Sequence, residues 1–170
     1  MNSFEDPELL SEMEHQQQIE RMAKTRKWDV RFMKLAHHVS QWSKDPSTKV
    51  GAVVTTDRQV LGLGYNGFPA GTDDRPEFYK DRAIKYPRVV HAEMNALLQT
   101  NRMLLMTGRE PTLFATLVSC CDCAGPIINF GIKRVVFPYP SEDEKSRWGS
   151  SNDMAMQMYK EAGVLVDFLT

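Results

Sequence analysis

The chain has 170 residues, of which 42% are hydrophobic and 25% charged, and its formal net charge is −1 at pH 7. This length suits one domain with a hydrophobic core, and the composition is that of an ordinary globular protein. The near-zero charge argues against a general nucleic-acid-binding protein, which needs a basic surface, and no apolar run approaches the ~20 residues of a membrane span. The acidic N-terminus lacks the apolar core of a signal peptide, so the three cysteines predict a reducing, cytoplasmic location.

The first part of the chain predicts a polar extension, a helix and a hairpin. Residues 1–26 are rich in Gln and Glu, and we expect them to form a solvated extension before a single domain over residues 27–170. From Trp28 onward, apolar residues recur at helical spacing and predict a helix with one buried face, which must end before Pro46. Two short apolar runs that flank Asp57 then predict a β-hairpin.

The second part alternates between helices and strands. A long loop, rich in Gly, Pro and charge and with at least one helical turn near residues 77–84, precedes three further helix–strand pairs. The last helix is predicted to begin at Ser151 or Asn152 and to end at Gly163. The order α-β-β-α-β-α-β-α-β predicts an α/β fold with a mixed five-stranded sheet, in which the last two strands are parallel because a helix connects them.

A candidate metal site emerges from the cysteines, which occupy positions 120, 121 and 123. A disulfide between the adjacent Cys120 and Cys121 would be strained, and an odd number of cysteines leaves one thiol over. Cys120 and Cys123 begin a predicted helix, whose N-terminus favours the thiolate form that binds metal. With His91, at the start of another predicted helix, they supply three zinc ligands and leave a fourth position for water, as in catalytic zinc sites. Glu93 would then be a nearby carboxylate that need not bind the ion.

Other interpretations of these residues stay open. A Cys-x-x-Cys pair alone can be redox-active or structural. All three cysteines with His91 could also form a closed structural zinc site in an interaction module without catalysis. Against the closed site, adjacent cysteines would have to turn toward one ion, and Glu93 would have no role. The combination of H-A-E with C-x-x-C is the known signature of zinc-dependent nucleobase deaminases, so we expect a catalytic Zn²⁺ and no ligand role for Cys121.

Several longer segments carry a resemblance to one family. The segments DPSTKVGAVV, GLGYNGFPAG, YPRVVHAEMNAL, CCDCAGPIINFGIKRVVF and MYKEAGV are similar to those of deoxycytidylate (dCMP) deaminases, from about residue 28 to residue 170. The resemblance implies the three-layer α-β-α fold of the cytidine deaminase superfamily. It also implies a hydrolase that converts dCMP to dUMP and ammonia for thymidylate synthesis, and a homo-oligomer, specifically a hexamer.

One position departs from this family. Pro normally precedes the first ligand cysteine, and here Ser119 occupies that place. The Ser119 hydroxyl could cap the helix instead, and we expect Ser119 and Cys121 to lie beside the substrate. The altered segment leaves open a deaminase that accepts dCTP as well as dCMP, whereas the net charge disfavours a nucleic-acid substrate.

The resemblance also implies roles for individual residues. Glu93 takes a proton from water, delivers it to ring N3, and later helps to protonate the amine that leaves C4. The backbone N–H of Ala92 meets the pyrimidine O2, and Asn66 bonds the sugar or the base. The candidates for the phosphate follow instead from their places in the chain and are Lys49, Tyr139, Arg82 and Arg88. The alternative for each is an ordinary surface or packed side chain.

A regulatory site is a further implication of the resemblance. In relatives, the segment that corresponds to GLGYNG helps to bind an effector nucleotide, where dCTP activates and dTTP inhibits with a divalent ion such as Mg²⁺ at the phosphates. Asn66, Gly67 and Phe68 would mark this site here. The alternative is an ordinary end of a hairpin, with glycine present for backbone reasons.

Overall fold

The computed structural model describes residues 7–100 and 110–169, with side chains from residue 16 onward except those of residues 21 and 23. The helices are α1 (Pro7–Ser40), α2 (Pro76–Lys80), α3 (Arg82–Arg88), α4 (Ala92–Gln99), α5 (Cys121–Phe130) and α6 (Glu142–Glu161). The strands are β1 (Gly51–Thr56), β2 (Gln59–Tyr65), β3 (Pro111–Ala115), β4 (Arg134–Pro138) and β5 (Leu165–Leu169). In this part of the chain, no helix combines the length and the apolar character needed to cross a membrane.

The strands form one five-stranded sheet in the order β2-β1-β3-β4-β5. β1 runs antiparallel to both β2 and β3, whereas β3, β4 and β5 are parallel to one another. The predicted hairpin turns at Asp57, which has a φ of 51°, a value that Asp tolerates better than most residues. The helices α5 and α6 connect successive parallel strands, as crossover connections require. The predicted mixed sheet with its last two strands parallel is therefore confirmed.

Helices cover both faces of the sheet. Neighbouring residues of the buried strands point alternately to opposite sides, so Val53 of β1 faces α1 whereas Val54 faces α4 and α5. On the first side, Phe32 and Ala36 of α1 pack against the sheet. On the second side, α4, α5 and α6 enclose a larger core that includes Tyr159. The three-layer α-β-α architecture is confirmed.

The first helix is longer than the pattern from Trp28 predicts. It begins at Pro7 and so continues through most of the polar extension, but every described side chain from residue 16 to residue 27 is exposed. Packing begins at Trp28 and at Asp29, whose carboxylate accepts two hydrogen bonds from Arg134 at 2.9 and 2.6 Å. This buried ion pair attaches the packed part of α1 to β4.

The start of the last helix differs from the prediction. α6 begins at Glu142, so the predicted N-cap at Ser151 or Asn152 is wrong. Ser141 and Glu144 form a capping box, in which the Glu144 N–H donates to Ser141 Oγ at 3.3 Å and the Ser141 N–H donates to the Glu144 carboxylate at 2.6 Å. Gly149 and the predicted cap residues lie inside the helix, where one glycine costs only about 1 kcal/mol.

Two glycines of β2 bring α4 close to the sheet. A Cβ atom on Gly64 would collide with backbone atoms of Ala92 and Ala96, and one on Gly62 would collide with the carbonyl of Ala96. Only glycine permits this backbone approach. The contact fixes the N-terminal end of α4, where the predicted histidine ligand lies. The preceding loop, in which one helical turn was predicted, contains the two short helices α2 and α3.

Candidate active site

The three predicted metal ligands lie at the N-termini of two helices. His91 is the N-cap residue of α4, Cys120 is the N-cap residue of α5, and Cys123 lies in the first turn of α5. His91 Nδ1 lies 3.2 Å from Cys123 Sγ and 3.4 Å from Cys120 Sγ. All three ligand atoms fall within 4.8 Å of one another, so the fold brings together residues that are about 30 positions apart in the sequence.

The donor set fits zinc. Bond lengths of about 2.0–2.1 Å to nitrogen and 2.3 Å to sulfur in a tetrahedral site separate neighbouring ligand atoms by roughly 3.5–3.8 Å, close to the distances found here. Cys121 is turned elsewhere, since Ser151 Oγ donates a hydrogen bond to its sulfur at 3.3 Å. Among the described residues the cluster thus has three ligands, which leaves the open fourth position of a catalytic site and not the closed shell of a structural one.

The two thiols interact strongly with each other and with the histidine. The pKa of Cys120 is lowered to about 4, because the Cys123 thiol donates a hydrogen bond to its sulfur and His91 lies alongside. The same hydrogen bond, together with burial, raises the pKa of Cys123. The hydrogen bond with Cys120 also raises the pKa of His91. Zinc binds thiolates, so its binding to this pair would release the remaining thiol proton.

Glu93 supplies a buried carboxyl group beside these ligands. It lies in the first turn of α4, its residue is only 4% exposed, and it lines the same cavity as His91 and Cys120. Burial raises the pKa of Glu93, because a carboxylate is poorly solvated there. A carboxyl group whose pKa lies closer to neutrality can both accept and return protons during a reaction.

A cavity of about 490 Å³ opens in front of the candidate metal site, within the ~300–1,000 Å³ range of small-molecule sites. Its walls come from the segment before β1, the end of β2, helices α2 and α3, the N-terminus of α4, the segment after β3, and the first half of α6. His91, Ala92, Glu93 and Cys120 all lie on this wall.

A buried ion pair holds the segment before β1 in place. Lys85 Nζ lies 2.5 Å from Asp45 Oδ2, and the two side chains are 11% and 0% exposed. Lys85 also donates to Ser47 Oγ at 2.9 Å, while the backbone N–H groups of Ser47 and Thr48 donate to Asp45 Oδ1 at 2.9 and 3.2 Å. Burial would raise the pKa of Asp45, but the hydrogen bonds from Lys85 and Ser47 outweigh it and lower that pKa. The pair connects α3 to the segment that precedes β1.

Asn66, predicted to bind substrate, lines the cavity but is largely engaged within the chain. Its side-chain oxygen accepts from the Val50 N–H at 2.8 Å, and its amide nitrogen donates to the Thr48 carbonyl at 2.9 Å. These bonds fasten the segment before β1 to the end of β2. Few hydrogen-bonding positions of the Asn66 amide remain for a ligand.

The other two residues predicted for an effector site also make internal contacts. Gly67 and Val90 form an isolated antiparallel bridge, with N–H···O distances of 3.1 and 2.8 Å. The ring of Phe68 stacks on Tyr79 at 4.3 Å between centroids. The segment from Asn66 to Phe68 therefore links β2 to α2 and to the residues just before α4.

Three of the four residues predicted to contact the phosphate lie outside the cavity wall, namely Lys49, Tyr139 and Arg88. Lys49 is exposed and donates to the Gln41 carbonyl at 3.4 Å. Tyr139 is 63% exposed and stacks on Phe168 at 5.2 Å. Arg82 does line the cavity.

Ser119, predicted to lie beside the substrate and to cap α5, is fully buried and does not line the cavity. The capping prediction is wrong, because Cys120 is the N-cap residue and the Ser119 hydroxyl has no hydrogen-bond partner within the described part of the chain.

Several residues of the cavity wall were not predicted from the sequence, among them Lys85, Arg147 and Trp148. Arg147 and Trp148 were missed because α6 begins earlier than predicted. The Ser141–Glu144 capping box in the sequence indicates this earlier start. Lys85 had no local signal, because its partner Asp45 is distant in the sequence.

Comparison with known proteins agrees with this geometry. The family described as "Cytidine and deoxycytidylate deaminase zinc-binding region" matches residues 26–139. An uncharacterized deaminase from Aliivibrio fischeri is 41% identical over 143 residues, which cover 84% of this chain and 94% of that protein. The deoxycytidylate deaminase of Mus musculus is 36% identical over 143 residues, which cover 81% of this chain and 76% of the mouse protein.

A solved structure shares the fold. The dCMP deaminase from the cyanophage S-TIM5, in complex with dCMP and dUMP, has a TM-score of 0.61 and 26% sequence identity, covering 81% of this chain and 93% of the phage protein. The family match spans more than half of this chain and includes all three residues of the metal cluster and Glu93. The chain therefore belongs to the zinc-binding cytidine and deoxycytidylate deaminase family.

Proposed function

We propose that the protein is a zinc-dependent hydrolase that converts dCMP to dUMP and ammonia. The observation that carries this proposal is the convergence of His91, Cys120 and Cys123 beside the buried carboxyl group of Glu93, on the wall of one cavity. The kinship with deoxycytidylate deaminases supports dCMP as the substrate. The alternative of a non-catalytic structural-zinc module lacks a fourth protein ligand in the described part of the chain.

The chemistry divides between the metal and Glu93. When bound to one histidine and two cysteines, zinc activates water as a nucleophile near neutral pH. Glu93 then accepts a proton as water adds to C4 of the base and donates it to ring N3. It next takes the second proton of the former water from the hydroxyl group on C4 and passes it to the amino group. The C4–N bond breaks, ammonia leaves, and C4 becomes the carbonyl carbon of the uracil ring. Proton transfer of this kind typically contributes a factor of about 10²–10⁴ to the rate.

The N-terminus of α4 supports recognition of the base. Ala92 is the first residue of this helix and lines the cavity. First-turn N–H groups have no partner within the helix and carry the positive end of its dipole. The Ala92 N–H is therefore suited to donate a hydrogen bond to the pyrimidine O2 atom.

Basic side chains on the wall support recognition of a phosphate. Lys80, Arg82 and Arg147 line the cavity, and of these only Arg147 forms an ion pair within the described residues, with the exposed Asp143 at 2.6 Å. A group of cations at the edge of a cavity attracts anionic ligands.

Apart from Glu93, the acidic residues of the same wall are engaged in contacts within the chain. Asp45 pairs with Lys85, and Glu144 accepts hydrogen bonds in the capping box of α6. We therefore assign the substrate phosphate to Arg82 and Arg147, and not to Lys49 or Tyr139.

Replacing Arg82 by Met is expected to raise KM for dCMP about tenfold at unchanged kcat, since one charge-assisted hydrogen bond contributes about 1.5–3 kcal/mol and is partly screened here. The kinetic constants for deoxycytidine, which has no phosphate, should not change. The same measurements on Lys49→Met, a cation outside the cavity, should show no change with either substrate. A rise in KM for dCMP in the Lys49 variant alone would contradict the assignment.

The proposed function is tested by ammonia release from dCMP and from dCTP, measured separately with the zinc-loaded protein. We expect turnover of dCMP. Comparable turnover of dCTP would support the broader specificity that the unusual Ser-Cys-Cys segment left open. Absence of turnover with both nucleotides, with zinc shown to be bound, would refute the proposal.

We also propose regulation by dCTP and dTTP, with Mg²⁺, at the segment from Asn66 to Phe68. The support is the family resemblance and the contacts of Asn66, which hold the residues before β1 that form part of the cavity wall. A ligand that shifted this segment would alter the shape of the substrate cavity. Adding dTTP to the dCMP assay should lower the rate, and an unchanged rate would argue against the site.

The resemblance further supports a homo-oligomer, and we propose a hexamer built from a catalytic domain over residues 27–170. The exposed side chains before Trp28 support a domain boundary near this residue. The three free cysteines, two of them in the zinc cluster, support a reducing cytoplasmic location.

A further inference from the structure

Two buried hydroxyl groups close to Glu93 have no role in the mechanism described above. Ser119 directly precedes the ligand Cys120, and Tyr159 projects from α6 into the core shared with α4 and α5. Both residues are fully buried, and neither lines the cavity. Ser119 Oγ and Tyr159 OH both lack a hydrogen-bond partner within the described residues.

Such a pair requires explanation, because buried hydroxyl groups in folded proteins are nearly always hydrogen-bonded. The electrostatic surroundings of the two hydroxyl groups indicate which groups could be their hydrogen-bond partners. Burial raises the pKa of Glu93 and that of Tyr159, and the Ser119 hydroxyl opposes the rise in both. The Glu93 charge also acts on Tyr159. Ser119 is therefore near enough to interact with both the tyrosine hydroxyl and the carboxyl group.

We propose that Tyr159 and Ser119 are positioning residues for Glu93, joined in a chain in which Tyr159 donates a hydrogen bond to Ser119 and Ser119 donates one to the Glu93 carboxylate. The direction follows from the chemistry of the groups. A buried tyrosine remains protonated and donates, an ionised carboxylate only accepts, and a serine hydroxyl does both.

The chain would hold the Glu93 carboxylate from within the core, since Glu93 lines the cavity and the two hydroxyl-bearing residues do not. A carboxyl group fixed by buried neighbours keeps the orientation that proton transfer requires. The device depends on Ser119, because its hydroxyl group is the link between Tyr159 and Glu93 in the proposed chain. The role as a positioning device rests on the proposed deaminase function, whereas the hydrogen-bonded chain itself can be observed independently.

Kinetics of single and double variants test the role. Ser119→Ala and Tyr159→Phe each delete one hydroxyl group with little other change. In the zinc-loaded enzyme we expect kcat for dCMP to fall about tenfold in Ser119→Ala and several-fold in Tyr159→Phe, with KM and zinc content unchanged. In the double variant, the tyrosine change should add nothing to the serine change, because the chain is already broken.

Thr56 provides the matched control. It is a third buried hydroxyl group without a partner among the described residues, and it lies at the end of β1 away from the cavity-lining Val50. Thr56→Val should leave kcat unchanged. Additive effects of the two test variants, a rise in KM instead of a fall in kcat, or an equal fall in Thr56→Val would overturn the proposal.

A spectroscopic measurement does not depend on the substrate. In proton NMR of the zinc-loaded protein, we expect a slowly exchanging Tyr159 hydroxyl resonance with a nuclear Overhauser effect to the Ser119 β-protons. It should be absent in Tyr159→Phe and shifted in Ser119→Ala. A rapidly exchanging hydroxyl would refute the chain. Failure of the proposed function would instead show as absence of nucleotide deamination by the unchanged protein with this resonance present.

Discussion

Replacing Glu93 by Gln is expected to abolish measurable deamination of dCMP while leaving the protein folded and zinc-loaded. The amide has the shape of the carboxyl group but cannot accept and return a proton, so the loss in kcat should be at least ~10²–10⁴-fold. Since burial disfavours the charged form of Glu93, the neutral amide should not reduce stability. Ammonia release, zinc content by atomic absorption and the urea midpoint of unfolding measure the three properties.

Asp122 provides a matched control for this experiment. It lies in the first turn of α5, between the two cysteine ligands in sequence, but it is exposed and does not line the cavity. Asp122→Asn removes a negative charge at a similar place and should change kcat by less than twofold. If Glu93→Gln lost its zinc, Glu93 would be a ligand. If it kept activity within tenfold of the unchanged enzyme, another group would carry the proton.

The candidate metal site could be predicted from the sequence because its parts are local. His91 with Glu93 and Cys120 with Cys123 each occupy one helix start, and the geometry of a first helical turn determines how each pair is presented. Only the meeting of the two helix ends depends on the fold. The alternation of predicted helices and strands was enough to establish the sheet and its parallel half.

The cavity wall beyond the metal site could not be predicted, because it depends on contacts between distant segments. Lys85 has the sequence environment of a solvated helical residue, yet it is buried against Asp45. Asn66 was predicted to bind substrate and lines the cavity, but its contacts with Thr48 and Val50 had no local signal in the sequence. Arg147 was missed because α6 was predicted to begin after it. Hydrophobic periodicity contains no information about such polar pairings.

Breaking the Asp45–Lys85 pair is expected to have the largest effect on stability. Lys85→Met leaves the Asp45 carboxylate fully buried without its cation, and loss of one partner of a buried ion pair typically costs about 3–5 kcal/mol in the free energy of unfolding. The second variant, Asp45→Asn with Lys85→Met, removes both charges and should recover much of the loss. Lys44→Met is the control, because it breaks an exposed pair with Asp74, and its free energy of unfolding should remain within experimental error of the unchanged protein.

The pH dependence separates a charge effect from a packing effect. In the unchanged protein the pKa of Asp45 is lowered, so its contribution is complete above its unfolded pKa of about 3.9 and is lost as pH falls through the folded value. In Lys85→Met that pKa should be raised instead, because burial then acts without the cation. The destabilisation measured by urea unfolding should therefore be greatest at pH 7. It should decrease toward pH 4, because Asp45 of the variant then becomes protonated in the folded as well as in the unfolded protein. A loss of stability independent of pH would mean that the aliphatic part of Lys85, and not its charge, supports the segment before β1. In that case the double variant would be no more stable than Lys85→Met alone.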